Sequence, residues 1–148
     1  MNYYKIEQAS VKEIKPNIDG VPETIKKTIV DLDKVFFHNN KIVPFVETVH
    51  NRLNIEVARG CVGRCRFCQA SKYYRPWRAR KVETVIKLLD ESLKNTGYEE
   101  VSFSSLSCTD YKDLEDLLLQ TNEKYYKQNL NVTLPSMRCN KFSLKVAQ

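Results

Sequence analysis

The sequence predicts an α/β protein in which parallel strands carry flanking helices. From residue 53 onward, segments of alternating apolar and polar residues trade places with segments of helical periodicity. The resulting order of strand, helix, strand, helix, strand and the start of a helix is the alternation that builds a parallel sheet. The segments richest in cysteine, serine and arginine each follow a strand. They would therefore gather on the one sheet edge where functional loops collect.

Residues 1–50 read as a lead-in or linker, and residues 51–148 as the α/β unit proper. Pro16, Asn17, Asp19, Gly20 and Pro22 mark loops in the lead-in. Residues 24–32 are expected to form a short helix, and residues 41–49 an extended segment that Pro44 confines to an edge or irregular strand. Leu53-Asn54-Ile55-Glu56-Val57-Ala58 alternates into Gly60, as a strand running into a loop does. Residues 82–95 form a helix, with Val82, Val85, Ile86, Leu89 and Leu93 on one stripe and Gly97 as its left-handed stop. A second strand spans residues 101–106. Thr109 or Asp110 caps a helix over residues 111–127, with Leu114, Leu117, Leu118 and Tyr125 inward. A third strand covers residues 130–134, and a third helix begins over residues 142–147.

No apolar run approaches the roughly 20 residues that cross a bilayer. The N-terminus lacks the apolar core of a secretory signal, so a cytosolic protein with reduced thiols and no membrane association is expected. The 5 cysteines cannot all pair within one chain. Three of them form Cys61-Val62-Gly63-Arg64-Cys65-Arg66-Phe67-Cys68, with the spacing C-x3-C-x2-C. Three thiolates from one loop can ligate three irons of a cubane cluster and leave the fourth open. An open position on a metal is where a cofactor or substrate can bind. Eight basic residues and no acid lie between Arg59 and Lys81, which favours thiolate over thiol. The alternative is a zinc site with Cys108 or Cys139 as fourth ligand, although zinc sites usually use two separated pairs.

The motif resembles the signature of the radical S-adenosylmethionine (SAM) superfamily, with Phe67 as the aromatic before the last cysteine. The resemblance implies a [4Fe–4S] cluster on Cys61, Cys65 and Cys68 whose open iron takes the amino and carboxylate groups of SAM. It further implies reductive cleavage of SAM to methionine and a 5′-deoxyadenosyl radical, fed by an electron donor such as flavodoxin or ferredoxin. The fold implied is the first half of a partial (β/α)6 radical SAM barrel. Pro44-Phe45-Val46-Glu47-Thr48-Val49-His50-Asn51-Arg52, Arg59-Gly60-Cys61, Phe67-Cys68-Gln69-Ala70, Tyr74-Arg75-Pro76, Asn95-Thr96-Gly97-Tyr98-Glu99-Glu100 and Leu134-Pro135-Ser136-Met137-Arg138 are similar to one member group. This is the uncharacterised radical SAM family with an N-terminal cobalamin-binding-type domain. Neither His38 nor His50 lies in a D-x-H-x-x-G motif, so cobalamin is not expected on this chain. About three β-α units stand where a radical SAM core has about six. A fragment is therefore expected, with apolar sheet faces uncovered and a second chain among the candidates to supply the remaining barrel.

By the same resemblance, Ser105 and Ser107 occupy the loop that commonly holds the SAM amino group, where ordinary strand-end serines are the alternative. Arg138 is placed to pair with the SAM carboxylate, against a solvated surface arginine. Phe67 is expected beside the adenine. Cys108 and Cys139 read as ordinary buried thiols. Tyr73, Tyr74 and Trp77 interleave the basic stretch, which admits RNA as a partner. The same charges equally serve to balance a cluster and SAM. The function expected is thus a SAM-cleaving radical generator of unassigned substrate. A zinc- or cluster-stabilised nucleic-acid-binding module is the alternative.

Overall fold

The computed structural model of the chain describes Tyr4–Lys5 and residues 15–141. Two short strands, β1 (Tyr4–Lys5) and β2 (Lys15–Pro16), pair antiparallel ahead of the main unit. That unit is a three-stranded parallel sheet of β3 (Leu53–Glu56), β6 (Glu100–Ser104) and β7 (Asn131–Thr133), with β6 in the centre. The α/β class expected from the alternation is therefore the observed one. The sheet and its helices are compatible with part of a radical SAM (β/α) fold.

Register sorts the side chains onto two unlike faces, because successive residues of a strand point oppositely. Leu53 aligns with Val101 and Ile55 with Phe103, and these four are fully buried. A single helical turn, α1 (Ala70–Tyr73), precedes the two longer helices; against the sheet pack Val82, Val85 and Leu89 of α2 (Val82–Thr96) and Leu114, Leu117 and Tyr125 of α3 (Leu114–Tyr125). Burying each large apolar side chain contributes about 1.5–3 kcal/mol, so this one layer carries most of the apolar stabilisation. The opposite face carries Asn54, Glu56, Ser102, Ser104 and Thr133. The uncovered face is thus polar rather than apolar, a correction to the expectation. The alternation in β3 and β6 leaves only one side of the sheet to bury.

Helix α2 matches its expected stripe and ends at Gly97, whose φ of 69° lets its N–H reach Leu93 O at 2.8 Å. Helix α3 starts three residues later than expected, and neither Thr109 nor Asp110 caps it. Both are engaged elsewhere. Thr109 Oγ1 accepts the Arg138 N–H at 3.2 Å, and Asp110 turns inward within a 3-10 turn at Cys108–Asp110. Tyr111 is then extended, its hydroxyl donating to Arg80 O at 2.9 Å.

Residues 24–32 form no helix. Thr24, Ile25, Thr28, Ile29 and Val30 are β-branched and disfavour one, and Ile25 and Ile29 are exposed with no partner face to bury. Residues 41–49 join no sheet; Ile42, Phe45, Val46 and Val49 are exposed. The helix expected over residues 142–147 lies outside the described residues. Between these segments, residues 31–39 dock onto the main unit. Leu32 is buried, its carbonyl accepts from Arg80 Nη1, Asp33 Oδ1 accepts the Lys81 N–H at 2.9 Å, and Asn39 pairs with Glu91.

Candidate metal centre

The cysteine motif lies on an excursion between β4 (Ala58–Arg59), which directly follows β3, and β5 (Arg78–Ala79), which directly precedes α2. These two strands pair antiparallel, Ala58 with Ala79 and Arg59 with Arg78, and so close the loop at its base. Gly60 opens the loop at φ 95° and is buried against the returning chain. A Cβ there would stand 2.7 Å from Tyr74 O and 3.0 Å from the Trp77 Cα. The loop therefore leaves the C-terminal end of β3 at a fixed place.

Beyond this neck, Cys61 is half-buried, and Cys65 and Cys68 are exposed; all three are free thiols. The Gly63 N–H points to Cys61 Sγ at 3.3 Å, and the Cys68 N–H closes a turn on Cys65 O at 3.1 Å. Gly63 is buried, and its missing side chain leaves a small shared space. A Cβ on Gly63 would lie 3.2 Å from Cys61 Sγ, 3.5 Å from Arg138 Nη1 and 3.8 Å from Cys65 Sγ. The site thus brings together two sulfurs of the motif and the arginine that follows the third strand. Among the described residues no three Cys, His, Asp or Glu side chains stand close enough to hold a metal ion, so Cys68 is not gathered with the other two. The donor set nevertheless suits an iron–sulfur cluster: three free thiols on one loop, flanked by Arg64 and Arg66 and by no acid.

Arg138 is oriented by a group the sequence reading assigned to helix capping. The Asp110 carboxylate, 1% exposed, faces Lys141 Nζ at 2.5 Å and Arg138 Nη1 at 3.6 Å. The Cys108 N–H donates to Ser136 O at 2.7 Å, which ties the ends of β6 and β7 together. Burial pushes the Asp110 carboxyl up, but hydrogen bonds from Lys141 and Ser107 and the charges of Lys141 and Arg138 outweigh it, so its pKa is lowered. With the folded-state value below the unfolded one, this contribution is present above the unfolded carboxylate value of about 3.9. It is lost as pH falls through the folded value. Asp110→Asn is expected to cost about 2 kcal/mol at neutral pH and much less in acid, as urea unfolding at both pH values measures.

Of the two serines, Ser105 lines a cleft of about 340 Å³ at the C-terminal edge, together with Glu56, Arg59, Gly60, Ser104 and Leu106. Ser107 is buried behind it, its N–H donating to Ser105 Oγ at 3.0 Å. Phe67 is 91% exposed on the loop. Cys108 is fully buried, its thiol donating to Phe103 O at 3.1 Å, which weighs against its use as a zinc ligand. Cys139 is exposed, unlike the buried thiol expected, because it sits on the surface turn Cys139–Lys141.

The basic stretch divides. Arg59 forms a bidentate pair with Glu56 at 2.8 and 2.5 Å, and Arg75 donates to Ser71 O at 2.7 Å. Arg80 is buried, donates to Glu56 O at 3.0 Å and lies 5.9 Å from the Phe37 ring centroid. Trp77 packs partly against the core. Arg64, Arg66 and Lys72 are exposed. Arg75 and Lys81 are exposed as well, so part of the stretch is engaged internally and part faces solvent. Glu56, Asp110 and Gly63 carry the local geometry and were not singled out by spacing; the composition of the loop held no signal for them.

The structure thus sets a loop with three free thiols at the C-terminal end of the first core strand of a parallel α/β sheet. The chain belongs to the radical SAM superfamily, whose family model matches residues 55–145. It is also similar to an uncharacterized protein of Methanocaldococcus jannaschii, at 38% identity over 63 residues. That stretch is 43% of this chain and 14% of the relative, so the chain spans only a small part of the relative's length. Among the described residues no helix is long and apolar enough to cross a membrane.

Proposed function

We propose that Cys61, Cys65 and Cys68 hold a [4Fe–4S] cluster and that the chain binds SAM beside it for reductive cleavage. The observation that carries this reading is the shared space over Gly63, faced by Cys61 Sγ, Cys65 Sγ and Arg138 Nη1. Side chains larger than hydrogen at residue 63 would occupy it. Metal sites commonly organise on binding, and Cys68 would complete the ligand set at that point. When bound, the cluster supplies the electron that cleaves SAM to methionine and a 5′-deoxyadenosyl radical.

The chain's own residues supply placement and charge. Arg138, held by Asp110, presents a planar donor pair suited to the SAM carboxylate. Ser105, with Ser107 behind it, offers a hydroxyl oxygen to the ammonium group. Phe67 is exposed on the motif and available to cover the adenine. The polar sheet face and the cleft beside Ser105 would admit a substrate. Residues 51–148 would then be the N-terminal part of a radical SAM core, with a second chain or further segment completing the barrel. The reductant would be a flavodoxin- or ferredoxin-type donor. The quoted sequence stretches favour the group with an N-terminal cobalamin-binding-type domain, whose cobalamin this chain would not itself hold.

Anaerobic reconstitution with iron and sulfide tests the reading. About four irons and a similar amount of sulfide per chain are expected, with the broad thiolate-to-iron absorption of a cubane. Stoichiometric zinc with no sulfide would sink it.

A further inference from the structure

A second cleft, of about 600 Å³, lies beside the loop neck and is lined by residues from 27–30, Arg59 and the turn at residues 73–78. Its size falls in the range of about 300–1,000 Å³ typical of small-ligand sites. Lys27, Arg59 and Arg78 line it together with Tyr73 and Tyr74, and no carboxylate does. Arg59 is already compensated by Glu56. The other two cations are held on neutral acceptors: Lys27 Nζ on the carbonyls of Tyr73 at 2.6 Å and Arg75 at 3.2 Å, and Arg78 Nη1 on that of Pro76 at 2.6 Å. These bonds fix the two charges without neutralising them. Arg78 Nε is buried and finds no acceptor among the described residues, so protein groups satisfy this guanidinium only in part.

The aromatic side of the cleft is equally specific. Lys27 lies 5.7 Å from the Tyr74 ring centroid, so that ring is already partnered. Tyr73 is 69% exposed and lines the cleft. SAM is a poor occupant, since its sulfonium and ammonium groups give it net positive charge against a cationic wall. We propose that this cleft binds a mononucleotide, its phosphate monoester between Lys27 and Arg78 and its base stacked on Tyr73. The site stands whether or not the cysteine loop takes a cluster.

The test is calorimetric titration of the full chain with adenosine 5′-monophosphate, with adenosine, inorganic phosphate and a ten-residue single-stranded RNA as comparison probes. Adenosine and phosphate are each expected to bind at least tenfold more weakly than the nucleotide. Lys27→Met and Arg78→Gln should each weaken nucleotide binding roughly tenfold or more, through loss of a charge-assisted contact. Tyr73→Ala should weaken it at least about fivefold, through lost stacking. Lys112→Ala, an exposed charge outside the cleft, should change nothing, and saturating SAM should not compete. Circular dichroism melts report whether each variant folds; if Arg78→Gln does not, Arg78→Lys, which keeps the charge but loses the planar fork, is read instead and should still weaken binding. Nucleotide affinity indifferent to Lys27, Arg78 and Tyr73 would overturn the proposal. So would phosphate binding as well as the nucleotide, or the RNA binding more than tenfold tighter with a steep salt dependence.

Discussion

Cys65→Ala is expected to take anaerobically reconstituted protein from about four irons per chain to below about one. Cys65 is the middle cysteine of the motif, and its sulfur is one of the two facing the space over Gly63. Cys108 is fully buried with its thiol on Phe103 O, and Glu56 and Asp110 are committed to Arg59 and to Lys141 with Arg138. Losing one of three thiolates therefore removes the cluster rather than altering it. The fold should not follow, because Cys65 is exposed and belongs to no part of the core. An unchanged thermal melt beside lost iron is the combination that separates a ligand from a structural residue.

Gly60→Ala should lower the melting temperature by roughly 10–15 °C, the largest stability effect expected of a single methyl in this chain. Two penalties combine. An alanine at φ 95° is strained by about 1–3 kcal/mol. Its methyl would also meet Tyr74 O at 2.7 Å and Pro76 O at 3.2 Å, and pushing backbone apart costs about another 1–3 kcal/mol. Gly20→Ala is the control. It has a similar φ of 85° with nothing within 4 Å of the added carbon, so it pays for strain alone. Equal melting temperatures for the two variants would mean that the loop neck is not closed as described. Because Gly60 fixes where the cysteine loop leaves β3, iron loading should also fall in Gly60→Ala.

What could be read from the sequence was what repeats or what spacing isolates. The stripe of Val82, Val85 and Leu89 is dense enough to outweigh local ambiguity, and the helix it implies is observed almost to the residue. The three core strands were legible because each alternates or ends in a turn signal. The cysteine loop was legible by spacing alone. The segment at residues 24–32 misled because its apolar residues have helical spacing but no surface to cover them. Residues 41–49, read as extended, likewise find no neighbour: Ile42, Phe45, Val46 and Val49 are exposed. The two-residue ladder of β4 and β5 is too short to leave a pattern, yet it positions the whole loop. Asp110 carried the sequence signal of a helix cap, since an acid before an apolar stripe usually is one. Only its burial between Lys141 and Arg138 shows the other use. Residues made important by long-range contact, such as Asp110 with Arg138 or Glu56 with Arg80, are silent in a single sequence. The polar sheet face, by contrast, lies in the alternation itself: Asn54 and Glu56 in β3 and Ser102 and Ser104 in β6 share one side.

The most direct measurement of the central claim is electron paramagnetic resonance of the reduced, reconstituted chain with and without SAM. A cubane signal whose shape changes when SAM is added, and which keeps its original shape with SAM in Arg138→Ala, is the expected result. A cluster signal indifferent to SAM, in protein fully loaded with iron and sulfide, would contradict an open iron beside Arg138.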